Sequence, residues 1–151
     1  MLGCMRPYLD SGFLATLILN AVGSPVAWSL IRGFEPPYQI NQLHVLQIEG
    51  MLFKTQVAPD ATERMAAARG MQAWHRYLEE EVFKVREEAW EVALRLAVTT
   101  SRAGKQESIS PLFHLHAALA VVGDGTHFLS FRPEVRALAG SLGLTILPER
   151  L

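Results

Sequence analysis

In Tyr8-Leu9-Asp10-Ser11-Gly12-Phe13-Leu14 a short apolar run ends on a carboxylate, two small residues follow, and an apolar helical pattern begins. That order describes a strand, a tight turn and a helix. In parallel α/β sheets, ligands bind outside the carboxyl ends of the strands, so Asp10 stands where a working acid would be placed. The same position is also that of a helix N-cap, which needs no function beyond accepting a backbone N–H. The residues alone leave both roles open.

Working outward, strand-like and helix-like stretches alternate. A helix follows Gly12 and fades near Gly23. Ser24-Pro25 opens a second helix, with Ser24 as N-cap, that stops at Gly33. Tyr38-Gln39-Ile40 reads as a short strand, and Asn41 caps a helix whose apolar face comprises Leu43, Leu46, Ile48, Leu52 and Phe53. Asp60-Ala61-Thr62-Glu63 has capping-box spacing and begins the longest helix, through about Glu80. A third strand is expected at Val82–Val85, a helix from Glu87 to about Ser101, and a polar loop from Ser101 to Ser110 around Gly104. Pro111 starts an apolar helix that ends at Gly123-Asp124-Gly125; Thr126–Phe131 is strand-like, Pro133 opens a helix, Gly143 closes it, and Leu144–Leu147 is the last strand. The alternation predicts an α/β fold with a parallel sheet covered on both faces.

Composition narrows the functional classes. At 151 residues the chain is read as a single domain, residues 1–151, burying about 70% of its unfolded surface. Half of the residues are hydrophobic, 19% are charged and the net charge is −1, which excludes a broad basic face for nucleic acid. Cys4 is the only cysteine, so an intrachain disulfide is excluded and a reducing, cytoplasmic setting is expected. Phe13–Val22 is interrupted by Asn20, preceded by Asp10, and reads as a buried helix, not a signal segment. No stretch is long enough to cross a bilayer, and Met5 is an alternative start to Met1.

The sequence has no glycine-rich phosphate loop, no dinucleotide fingerprint and no Gly-x-Ser-x-Gly elbow. His114 and His116 are two apart on a predicted helix, pointing in roughly opposite directions, so they cannot easily share a metal.

Three stretches carry a resemblance. Tyr8 to Leu14 resembles the opening strand of PIN-domain proteins, in the broad group that includes VapC-type toxin ribonucleases. Ile40-Asn41-Gln42-Leu43-His44-Val45-Leu46-Gln47-Ile48-Glu49 is similar to the second strand and helix of one bacterial subgroup. Leu115-His116-Ala117-Ala118, through Phe128-Leu129-Ser130-Phe131, to Arg136-Ala137-Leu138-Ala139 and Gly143-Leu144 resembles that family's closing helix-strand-helix-strand. The resemblance implies a three-layer α/β/α sandwich with a five-stranded parallel sheet in the order 3-2-1-4-5.

It also implies a cluster of carboxylates around Mg²⁺ or Mn²⁺, activating water against an RNA phosphodiester. Asp10 retains the first acid. The remaining family acid positions fall at Gln47, Phe113 and Arg132. Glu49 is an alternative second acid, but two residues from Gln47 it lies about 200° away around the helix. The set Asp10, Gln47, Phe113, Arg132 is therefore expected to hold metal weakly or not at all, with Arg132 paired to Asp10 across the vacated site. The reading that follows is a catalytically degenerate PIN-like protein retained for binding or assembly. The alternative is a weakly active Mg²⁺/Mn²⁺-dependent ribonuclease, the toxin of a toxin-antitoxin pair, using Asp10, Glu49 and either Asp124 or Glu134.

The partners expected are a second copy of the chain, an antitoxin-like protein and, weakly, RNA, with no membrane. Trp74 and Tyr77, three apart on the long helix, are the candidates for a dimer interface. Leu9, Leu14, Leu17, Leu46, Leu115, Ala118, Leu129 and Leu138 are expected in the core.

Overall fold

The structure, a computed structural model, describes residues 5–104 and 109–150. Met1 and Cys4 lie outside the described residues, as does the centre of the polar loop at 105–108. The order of elements is β1 (Pro7–Leu9), α1 (Ser11–Leu19), α2 (Ser24–Ile31), β2 (Tyr38–Ile40), α3 (Gln42–Gln56), α4 (Ala61–Glu79), β3 (Phe83–Val85), α5 (Trp90–Ala103), α6 (Pro111–Val122), β4 (His127–Leu129), α7 (Pro133–Ser141) and β5 (Thr145–Leu147). The α/β class and the alternation follow the sequence reading. Contacts divide the chain into two compact units, Met1–Asp10 with Glu87–Leu151, and Ser11–Arg86.

In the first unit, β1, β4 and β5 form a parallel sheet in that order. Its centre is apolar: Leu9, Phe128 and Leu129 are fully buried, and Tyr8 stacks on Phe128 at 5.6 Å between ring centres. The middle of α6 is lined by Ala117, Ala118 and Ala120, all buried, and such small side chains let neighbouring backbones approach closely. The buried polar groups on this helix are satisfied. The Tyr8 hydroxyl bonds His116 Nδ1 at 2.8 Å, and Thr100 Oγ1 on α5 bonds His114 Nδ1 at 3.0 Å. Val135 and Ala139 bury one side of α7.

In the second unit, β2 pairs in parallel with β3, Tyr38 opposite Phe83. Asn41 caps α3 as expected. Its side chain accepts from the Leu43 and His44 N–H groups, and the Asn41 N–H donates to His44 Nδ1 at 3.1 Å, so the histidine completes a capping box. Asp60 caps α4 through the Glu63 N–H at 2.9 Å. At Gly70 an added Cβ would come within 2.9 Å of Leu52 and 3.0 Å of Leu19, so the glycine sets how closely α4 packs. Trp74 is fully buried beside Phe83, and Tyr77 meets Phe83 edge-on at 5.8 Å and Trp28 at 5.5 Å. Each such aromatic pair adds about 0.5–1.5 kcal/mol to its area burial.

Several expectations are corrected. The five strands form two separately hydrogen-bonded sheets, β1-β4-β5 and β2-β3, and a five-stranded sheet in the order 3-2-1-4-5 is not seen among the described residues. Trp74 is fully buried inside its own unit, and Tyr77 is half-buried there against Phe83 and Trp28. Leu46 and Phe53 are 70% and 66% exposed, because α3 buries Ile48 and Leu52 on its other side. Leu115 and Leu138 are half-buried. The N-cap of α2 is Gly23, in the left-handed region at φ 96°, and Ser24 is the first helical residue. α5 continues through Ser101 to Ala103, into the stretch read as loop.

Among the described residues, no single helix is long and apolar enough to cross a membrane. Together α1 and α2 have the length and composition, but they are bent by 112° and much of each is buried.

Candidate functional site

Parallel pairing of β1 and β4 sets Leu9 opposite Leu129, and the Asp10 N–H donates to the Leu129 carbonyl at 3.0 Å. The next residues along, Asp10 and Ser130, therefore meet at the carboxyl edge of the sheet. Both are fully buried, and the Ser130 hydroxyl donates to Asp10 Oδ2 in a short hydrogen bond. Ser130 is held from two further sides: its N–H donates to the Leu147 carbonyl at 3.1 Å, and its Oγ accepts from the Arg132 N–H at 3.1 Å. Oγ thus accepts a hydrogen bond from the backbone and donates one to the carboxylate. A buried carboxylate requires such donors, because burial without them costs several kcal/mol.

The Arg132 guanidinium has other partners. It lies over the Phe113 ring at 4.8 Å from the centroid, and its Nη1 is 3.9 Å from Glu134 Oε1. The direct Asp10–Arg132 pair expected from the sequence is replaced by an indirect link, Arg132 N–H to Ser130 Oγ to Asp10. The physical reason is local. Arg132 is the extended residue before Pro133, and its side chain gains a ring face on α6 and a carboxylate in the first turn of α7. Arg136, one turn further, donates to the Ser130 carbonyl at 3.0 Å and to the Pro148 carbonyl, tying the segments that follow β4 and β5.

Asp10, Phe113 and Arg132 thus belong to one unit, joined through Ser130 and a cation–ring contact. Gln47 and Glu49 belong to the other, on α3. Glu49 Oε1 accepts from the Trp74 indole N–H at 3.2 Å, which gives that carboxylate a packing role between α3 and α4. Of the acids named for the alternative reading, Glu134 faces Arg132. Asp124 pairs with Arg6 at 3.8 Å, at the amino edge of the sheet and so away from Asp10.

Sequence reasoning missed Ser130 and Arg136. The signal for Ser130 was present: Tyr8-Leu9-Asp10 and Phe128-Leu129-Ser130 share an aromatic-Leu-polar pattern, and neighbouring parallel strands in register bring their last residues together. His114 and His116 have separate partners, Thr100 and Tyr8, as their spacing implied. Burial holds the His114 pKa below its ordinary value of 6.5.

Mg²⁺ and Mn²⁺ take oxygen donors in near-octahedral sets and need carboxylate charge to offset dehydration. In the first unit the three family positions present one carboxylate already engaged by Ser130, one aromatic ring and one guanidinium. That donor set does not fit the ion. Among the described residues, no three of His, Cys, Asp and Glu come together as a metal-holding group. Neither a protein-family model nor a curated protein sequence matches the chain.

Proposed function

We propose that residues 1–151 form one PIN-like domain in which the metal-dependent ribonuclease site has been replaced by a closed polar and aromatic arrangement. In this reading the protein acts by binding or assembly, as a homodimer or with an antitoxin-like partner, in the cytoplasm. One observation carries it: Asp10 is buried and bonded by Ser130, while Arg132 lies across Phe113 and pairs with Glu134. A nucleophilic water needs a metal to lower its pKa or a general base to take its proton, and at this edge of the sheet Asp10 is engaged by Ser130 and Glu134 faces Arg132. The two observed strand orders, β1-β4-β5 and β2-β3, are both contained in the family order 3-2-1-4-5, which supports the fold half of the proposal. A net charge of −1 agrees with weak RNA affinity.

Thermal melts across a titration of Mg²⁺ and of Mn²⁺ test this. A ligand stabilises the native state only as far as it occupies it, so Tm should stay constant to millimolar metal. A saturable rise in Tm that disappears in Asp10→Asn would favour the alternative, a weak metal-dependent ribonuclease of a toxin-antitoxin pair.

A further inference from the structure

We infer that α3 carries a self-association seam, and that its occupant is α3 of a second copy of the chain, lying parallel to the first. Leu46 is 70% exposed, Phe53 66% and Val57, at the C-cap, 71%; Gly50 between them has open space where a Cβ would stand. At about 100° per residue these four positions fall within an arc of about 60°, and the buried Ile48 and Leu52 lie on the other side of the helix. Their spacing, four-three-four, is that of alternating d and a positions in a heptad, the pattern of a helix that packs against another helix. The core is served by Ile48 and Leu52 on the other side of α3, and on the side of the stripe the chain itself covers only Leu43, one turn before Leu46.

Charge identifies the occupant. With Leu46 and Phe53 as d positions, Glu49 is a g position and Lys54 the following e position, one on each flank of the stripe. In a parallel pair of helices, g of one chain meets e of the next heptad in the other, five residues on. A second copy therefore brings the partner's Lys54 against Glu49, and the partner's Glu49 against Lys54, while Leu46, Gly50, Phe53 and Val57 each meet their own counterpart. An antiparallel pair would face g against g and lose both contacts. The Trp74 indole, bonded to Glu49 Oε1 at 3.2 Å, holds the carboxylate in place on the flank. This inference rests on the assembly reading above and names its partner. It places the dimer interface on the outward face of α3, in place of Trp74, which is buried, and Tyr77, which is half-buried, both on α4.

The test is sedimentation or light scattering of the full chain over the micromolar range, with circular-dichroism melts as a folding control. The native chain should shift from one to two copies as concentration rises. Phe53→Glu, at an exposed position, should keep the native melt and weaken the dimer by about thirtyfold or more. Lys54→Glu and Glu49→Lys should each weaken it by about tenfold through like charges on both flanks. An equimolar mixture of those two variants should associate better than either alone, because each mixed contact regains opposite signs. A native chain monomeric throughout overturns the inference. So does a dimer indifferent to Phe53→Glu, or a mixture no better than its components. A monomer with no metal response sinks this seam and leaves the Asp10 reading intact, whereas a dimer that cleaves RNA does the reverse.

Discussion

Ser130 donates its hydroxyl proton to the buried carboxylate of Asp10, at the adjoining ends of two parallel strands. With that bond in place the acid belongs to the architecture of the sheet edge. Ser130→Ala removes one hydrogen bond to a buried carboxylate, which costs about 1.5–3 kcal/mol where the partner is charged. Urea unfolding should show the loss, and Ser130→Thr, which keeps the hydroxyl, should recover most of it. Native stability in the alanine variant would mean that Asp10 does not depend on this bond.

Acid should destabilise the fold through His114. Its folded pKa lies below 6.5 because burial disfavours the imidazolium, so the unfolded chain binds the proton more readily. Its contribution is present above the unfolded value and is lost as pH falls below about 6.5 towards the folded pKa. His114→Gln should flatten the stability profile in that window, as read by melts at stepped pH, even if the variant is less stable throughout.

The turn between α6 and β4 is intolerant of a side chain. A Cβ at Gly125 would stand 2.6 Å from the Ala120 carbonyl oxygen, to which the Gly125 N–H already donates at 2.7 Å. Backbone must move to admit it, so Gly125→Ala should lower stability by about 1–3 kcal/mol, visible as a drop in Tm. A neutral outcome would show that this turn yields easily.

Much of the fold is legible in the sequence because its signals are local. Asn41 and Asp60 announce helix starts through side chains that can reach only their own first turn. Leu9, Leu14, Leu17 and Leu129 lie in runs too apolar to face water. What fails is less local. Leu46 and Phe53 are as apolar as Ile48 and Leu52, and a helix with two apolar sides does not say which one its own chain covers. Trp74 suits an interface as well as a core until Phe83 is placed beside it. The candidate site is legible in part: Asp10 and Arg132 stand at neighbouring strand ends. The partner that Asp10 takes depends on strand register, and register makes it Ser130.

Restoring acids should restore metal sensitivity. Phe113→Asp and Arg132→Asp together supply two carboxylates at the family positions in the unit that holds Asp10 and remove the cation that lies over Phe113. The combined variant should be less stable than the native chain without metal, since Phe113 is half-buried and its ring contact is lost. Its Tm should rise with Mn²⁺ where the native Tm does not. A variant that stays insensitive would show that these positions do not belong to one site.

The central claim, that Asp10 is structural and not catalytic, is tested most directly by incubating single-stranded RNA with the native protein and with Asp10→Asn in millimolar Mn²⁺. The account predicts intact RNA with both proteins. Cleavage by the native chain that disappears in a folded Asp10→Asn variant would contradict it.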